Sequence, residues 1–267
     1  MTSFDVVNEI SHLFGIKKVG HTGTLDPLAE GVLIVCIGKA TKIVELLTAK
    51  DKEYVAGVKL GIKTDSYDIT GNVLDTKEEI EITNLDEVIS SFNKTYLQEV
   101  PIYSAVKVDG KKLYEYARNN KEVELPKKEV TIKEIELLSK EKDTFNIRTL
   151  VSKGTYIRSL INDIGIELNT YATMTSLKRT KQGKVTIDEA YKLSDIRDNN
   201  FKIYRIEETL EYPVVKVNEE LEYKITNGVK LDNAFDIKDK VIFVNKDDKL
   251  LGIYENDNDK LKVWKNF

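Results

Sequence analysis

The residues of this 267-residue chain best suited to chemistry lie in GHTGTLDPLAEG, Gly20 to Gly31, where Asp26 precedes Pro27 and follows His21, one of only two histidines. Four readings compete for the stretch. A phosphate cradle needs glycine-spaced amides running into a helix, usually with a lysine, but this loop lacks a Gly-Lys-Ser/Thr ending and runs into the apolar VLIVCIG. A metal corner needs more ligands than His21 and Asp26, and two histidines with the single Cys36 leave no protein-built zinc set. A helix cap is natural, with Asp26 at the cap and Pro27 at the first helical position. A catalytic carboxylate is the alternative to that more ordinary reading: Gly20 and Gly23 flank His21-Thr22 and point to backbone geometry that other residues adopt at a cost. Asp26 would then act as nucleophile or base, favoured by a nearby arginine. Arg158, which follows Gly154-Thr155-Tyr156-Ile157, is the candidate partner; on residues alone a surface ion pair explains it equally well.

The elements that must position these residues follow from periodicity. Phe4, Val7, Ile10 and Phe14 mark a first helix after the capping-box start Thr2-Ser3-Phe4-Asp5, with Gly15 as its stop. VLIVCIG reads as a buried strand and KATKIVELLTAK as a helix. KEYVAGVKLG alternates as a strand, with Tyr54, Ala56, Val58 and Leu60 on one side. TDSYDITG is a polar turn, and TNLDEVISSFN a helix with Thr83 as its cap. Asp109-Gly110 marks a hairpin, followed by a short helix through Leu113, Tyr114 and Ala117. KKEVTIKEIELLS, TFNIRTLVSKG and ATMTSLKRTKQGKV read as strands, and SKGTYIRSLINDIGIEL turns into an amphipathic helix. Strands outnumber helices without regular alternation, which predicts an α+β fold with a mixed, mainly antiparallel sheet. From Pro213 on, VVKV, VIFV, LLGIY and LKVW are separated by polar turns, so 213–267 reads as a small separate β domain.

Composition bounds the function. Hydrophobic residues make up 41% of the chain, enough for a substantial core, and no apolar run approaches a membrane span. No signal peptide is legible, and the expected compartment is the cytoplasm. The net charge of -4 hides segregation: residues 101–184 hold 17 Lys and Arg against 11 Asp and Glu, a net of +6. A basic middle in an acidic chain fits a polyanionic partner, as well as it fits solvated lysine faces.

Four blocks in fixed order, GHTGTLDPLAEGVLIVCIGKATK, KEYVAGVKLGIKTDSYDITG, YSAVKVDGKKLYEYAR and SKGTYIRSLINDIG, resemble the TruB family of tRNA pseudouridine synthases across about residues 1–210. The resemblance implies a pseudouridine synthase fold over 1–212, with a thumb-like RNA-binding insertion at about 101–130, and a PUA-like β domain over 213–267. It implies isomerisation of uridine 55 in the T-loop of tRNA to pseudouridine, by base flipping, with no cofactor and no metal. By motif position Asp26 is the nucleophile. Tyr54 stacks on the flipped base and assists proton removal, and Arg158 holds Asp26 ionised and oriented. Tyr156 and Leu177 frame the uracil, His21 helps open the T-loop, and Lys107, Lys111, Lys112 and Arg118 meet phosphates. The expected protein is a monomer acting on the tRNA T-arm, without membrane or obligate protein partner.

Three departures stand out. The family pattern has a strand and a D-K-P-type segment, with a lysine that supports the pocket, ahead of where this sequence begins. Lys178 stands where arginine is common and Val185 where an aromatic is common. Two rival functions remain: a tRNA-folding chaperone using the same groove with isomerisation weak or lost, and a guide-dependent rRNA modifier of the same superfamily.

Overall fold

The computed structural model describes residues 1–78 and 84–267; the expected cap Thr83 lies outside them. Contacts group the chain into two compact units that are not collinear with the sequence. The first comprises Met1–Ser3, Gly23–Leu33 and Thr48–Ala190, the second Phe4–Thr22, Ile34–Leu47 and Tyr191–Phe267. The expected break at 212/213 falls inside the second.

The first unit is built on a mixed sheet whose strands run in the order Val185–Thr186, Ala172–Gln182, Lys52–Leu60, Thr144–Val151, Lys127–Lys140, Thr95–Glu99. Every neighbour on this path is antiparallel, and Ala29–Gly31 adds a short parallel pairing against Ala172–Gln182. Alternation does what the sequence pattern requires: Tyr54, Ala56, Val58 and Leu60 point into the core, as do Phe145, Ile147 and Val151 on the next strand. Helices Leu85–Ser91 and Ile157–Glu167 cover that face with Leu85, Val88, Ile89, Leu160, Ile161 and Ile164. Gly165 lets the second helix approach the sheet, since a Cβ there would stand 2.7 Å from the Ala172 nitrogen. The outward face is polar, with Arg148 bridging Glu53 and Glu136.

The basic insertion belongs to this unit. Lys107–Val108 and Lys111–Lys112 pair across Asp109 (φ 50°) and Gly110 (φ 80°), the two positive-φ positions of a type I′ hairpin. Helix Leu113–Arg118 follows, anchored by the fully buried Leu113.

In the second unit, Val19–His21 pairs with Val35–Ile37, and a five-stranded sheet runs Val214–Lys216, Lys240–Val244, Leu250–Asp257, Lys260–Asn266, Leu231–Asp232. Both faces of its second strand, Lys240–Val244, are covered. Val241 and Phe243 pack with Val217, Ile225 and Tyr254, while Ile242 and Val244 pack with Cys36, Ile43, Leu47 and Leu210. The C-terminal strands therefore share a core with residues 34–47, and the segment 213–267 also carries a helix, Glu219–Thr226, capped by the Asn218 side chain. VLIVCIG is not one strand, because its first residues belong to the first unit and the strand proper is Val35–Ile37. KATKIVELLTAK is a 3₁₀ turn, Gly38–Ile43, before an α-helix Val44–Ala49.

Candidate active site

Asp26 sits on a single tight turn. Its main-chain carbonyl accepts from the Ala29 N–H at 2.8 Å, which makes Asp26-Pro27-Leu28-Ala29 a β-turn with Pro27 at the position whose φ proline presets. Strand Ala29–Gly31 follows at once, so Asp26 caps no helix: the expected cap gives way to a strand that the parallel pairing with Leu177–Arg179 draws in. Of the two glycines expected to carry strain, Gly23 (φ 153°) has positive φ, whereas at Gly20 a side chain would meet only ordinary contacts; Gly31 (φ 101°) is the further strained position.

The Asp26 carboxylate is held by a fork. Arg158 Nε donates to Oδ2 at 2.9 Å and Nη2 to Oδ1 at 3.1 Å, the bidentate geometry that suits a planar guanidinium. Arg158 is 4% exposed and Asp26 34%, so the cation is dry and the carboxylate reaches solvent. Arg158 also gathers two other segments, donating from Nη1 to the Ser66 carbonyl and from Nη2 to the Tyr103 carbonyl, both at 3.1 Å. Asp68 lies 3.9 Å from Nε and is itself buried, its Oδ1 accepting from the Ser66 hydroxyl and from the Thr70 N–H and hydroxyl. A carboxylate gripped on both oxygens cannot rotate away, and each oxygen keeps a lone pair for a reacting atom. This arrangement suits nucleophilic or base chemistry.

The grip is supported from behind. Arg158 is the second residue of helix Ile157–Glu167, whose N-cap is Tyr156. The Gln98 side chain, 1% exposed, clamps Tyr156 both ways: Tyr156 N–H donates to Oε1 at 2.8 Å, and Nε2 donates to the Tyr156 carbonyl at 3.1 Å. Gln98 Nε2 also reaches the Tyr96 hydroxyl, which donates to Asp163 at 2.9 Å.

Two phenols sense the Asp26 charge. Tyr54, buried on Lys52–Leu60, has its pKa pushed up by burial, opposed by the Arg179 guanidinium and reinforced by Asp26. Tyr156 is raised for the same first reason, burial, with Arg158 opposing and Asp26 reinforcing. Both are therefore hydroxyl donors at neutral pH. Leu177 lies in the core cluster with Tyr54, paired in register with Ala29 and Ala56.

Five of the residues singled out from sequence, Asp26, Arg158, Tyr54, Tyr156 and Leu177, thus gather in the first unit. His21 ends strand Val19–His21 in the second. Lys107, Lys111 and Arg118 are exposed on the basic insertion. There, Lys112 donates to the Tyr114 hydroxyl at 3.1 Å, and Lys112 and Arg118 both lie over the Tyr114 ring. Sequence reasoning missed Asp68, Gln98 and Arg179. Only Asp68 had a legible signal, the Asp-Ile-Thr spacing of an Asx turn within TDSYDITG.

Residues 11–157 match the model of the TruB family pseudouridylate synthase N-terminal domain, and residues 158–221 that of the tRNA pseudouridylate synthase B C-terminal domain. The chain belongs to the TruB family. It is a pseudouridine synthase, an isomerase. The tRNA pseudouridine synthase B of Fusobacterium nucleatum is 43% identical over 270 residues, spanning 98% of this chain and 93% of that protein. That of Clostridium novyi is 40% identical over 274 residues, with 99% and 95% covered. Among solved structures, an H/ACA RNP bound to a substrate RNA containing 2'-deoxyuridine superposes with a TM-score of 0.75 at 24% identity, covering all of this chain and 81% of that one. That likeness bears on the fold, which it shares.

Proposed function

We propose that this protein isomerises uridine 55 in the T-loop of tRNA to pseudouridine, with Asp26 as nucleophile. The observation that carries the reading is the two-oxygen grip of buried Arg158 on a carboxylate open to solvent. The relatives named as tRNA pseudouridine synthases supply the substrate.

The target base is stacked within a folded loop and must be extruded first, at a cost of a few kcal/mol that new contacts offset. Asp26 then attacks, on the sugar or on the ring. The bond between the base nitrogen and the ribose breaks, and the base turns and rejoins the ribose through a ring carbon. That carbon gives up its proton while the freed nitrogen takes one, and Asp26 is released. Tyr54 stacks on the flipped base, and its neutral hydroxyl stands ready to exchange a proton near the sugar. Tyr156 and Leu177 frame the uracil, and His21 occupies space in the opened loop. Lys107, Lys111, Lys112 and Arg118 neutralise phosphates, which makes affinity fall with salt. Recognition rests on the folded T-arm and its single-stranded bases more than on duplex sequence. A tRNA substrate puts the work in the cytoplasm, and the reaction as proposed needs one copy of the chain. The segment 213–267 serves as a PUA-like RNA-binding module.

An unmodified tRNA transcript tests this. Wild type yields pseudouridine at the T-loop, scored by mass or carbodiimide mapping, whereas Asp26→Asn yields none while still binding tRNA. Turnover by Asp26→Asn would remove the nucleophile assignment. Binding without product in wild type would favour the chaperone role.

A further inference from the structure

The loop that carries Asp26 runs from Gly23 to Val32, and both of its ends are fastened to one side chain. Arg179, 1% exposed and the largest of the fully buried side chains, donates from Nε to the Val32 carbonyl at 2.7 Å and from Nη2 to the Gly23 carbonyl at 3.1 Å. Its main-chain carbonyl accepts from the Val32 N–H at 2.8 Å. Gly31 fits against it only because it lacks a side chain, since a Cβ there would stand 2.2 Å from the Arg179 oxygen. On the opposite edge of its strand Arg179 is the register partner of Tyr54, and its guanidinium faces the Tyr54 hydroxyl.

The electrostatics say this arrangement is not there for stability alone. Among the described residues, Arg179 hydrogen-bonds two main-chain carbonyls and the Tyr54 hydroxyl, and no carboxylate. Lys52 lies beside it, 8% exposed, donating to the Thr48 and Lys50 carbonyls at 2.8 and 2.7 Å. Burial first, and then the Arg179 charge, push the Lys52 pKa down to about 8. Asp51 opposes that fall only in part, and two neighbouring buried cations whose hydrogen bonds go to no carboxylate are costly, a penalty that an apolar pair of similar volume would avoid. What an aliphatic side chain cannot do is hold two carbonyls of one loop at fixed separation while touching the phenol across the strand. Arg158 fixes the carboxylate itself, whereas Arg179 fixes the backbone on which the carboxylate stands.

We propose that Arg179 is a positioning residue for the isomerisation, holding the Asp26 turn and the Tyr54 hydroxyl in one arrangement by fastening both ends of 23–32 to the strand beside Tyr54. The inference rests on the reading that Asp26 attacks and Tyr54 acts on the flipped nucleotide. Its effect lies in the chemical step and leaves tRNA affinity alone.

The test compares wild type, Arg179→Lys, Arg179→Gln and Asp26→Asn by single-turnover rate on saturating tRNA transcript, tRNA affinity by filter binding, and thermal melting. Lysine keeps the charge and reaches one carbonyl only. Arg179→Lys should melt cooperatively, bind tRNA as wild type does, and react about tenfold slower at saturation, with Arg179→Gln slower again by about another order. A wild-type rate in Arg179→Lys overturns the proposal. So does a defect confined to affinity, or a loss of cooperative melting in Arg179→Lys, which makes the residue a structural support only. Turnover by Asp26→Asn overturns the nucleophile reading instead, whatever the Arg179 variants do.

Discussion

Two arginines of the first unit are each ringed by carboxylates, on opposite faces of the same fold. Arg148 lies on the outward side of the sheet, 32% exposed, and bridges Glu53 at 2.8 Å, Glu136 at 2.7 Å and Glu134 at 3.5 Å. Arg158 lies behind the Asp26 turn, 4% exposed, with Asp26 at 2.9 Å and Asp68 at 3.9 Å. By count of charges the surface cluster is the richer. By physics it is the weaker, because water screens its charges and would solvate any of them left alone, whereas a buried carboxylate that loses its cation has nothing to replace it. The difference teaches that a charged cluster earns functional attention from its burial and from its unequal exposure, not from its size.

Removing Arg158 is the harshest test of that contrast. Arg158→Met should lower stability by about 3–5 kcal/mol in urea unfolding, since Asp68 stays buried beside an apolar chain. It should also abolish measurable isomerisation. A loss under about 1 kcal/mol would mean that the pair is as wet as the Arg148 cluster.

Asp163 probes the same idea from the other side, as a mostly buried carboxylate held by a phenol instead of a guanidinium. Burial, with Glu99 adding to it, raises its pKa to about 6, against the partial opposition of the Tyr96 hydroxyl and Lys127. The folded state therefore binds the proton more tightly than the unfolded chain. This contribution is fully present below about pH 4 and is lost as pH rises through about 6. Asp163→Asn should then be more stable than wild type at pH 7 by about 2–3 kcal/mol and nearly equal to it at pH 4, in paired urea melts. Equal gaps at both pH values would refute the assignment.

The basic insertion is the fully solvated extreme. Replacing Lys111 and Lys112 by alanine should cut tRNA affinity and reduce the slope of log affinity against log salt by about 1–2, while leaving single-turnover chemistry at saturation within about twofold. An unchanged slope removes these two residues from the RNA interface. The smallest effect belongs to Arg148→Ala, about 1 kcal/mol or less in stability with wild-type activity. A larger loss would show that the outward cluster is coupled to the core.

Much of the fold was legible because it rests on periodicity. The Tyr54 strand and the amphipathic helix of Arg158 follow from spacing alone, and the Asp109-Gly110 hairpin from residues that tolerate positive φ. VLIVCIG was not legible as two pieces, since an apolar run does not say which of two cores each residue joins. Nor was the helix Glu219–Thr226 within a segment that reads as all strand, although Asn218 provides its start signal.

By itself the sequence determined the chemical cast: which carboxylate stands in the strained loop, which arginine opens a helix, and which blocks mark the TruB family. Only the tertiary structure decided how that cast is held. Arg158 and Asp26 are 132 positions apart, and Arg179 lies 147 positions from Val32. Their pairing depends on strand register and on helix packing, which set distances to tenths of an ångström that no local pattern encodes. Whether an arginine among carboxylates is a solvated ornament or a clamp depends on burial, a property of the folded chain as a whole.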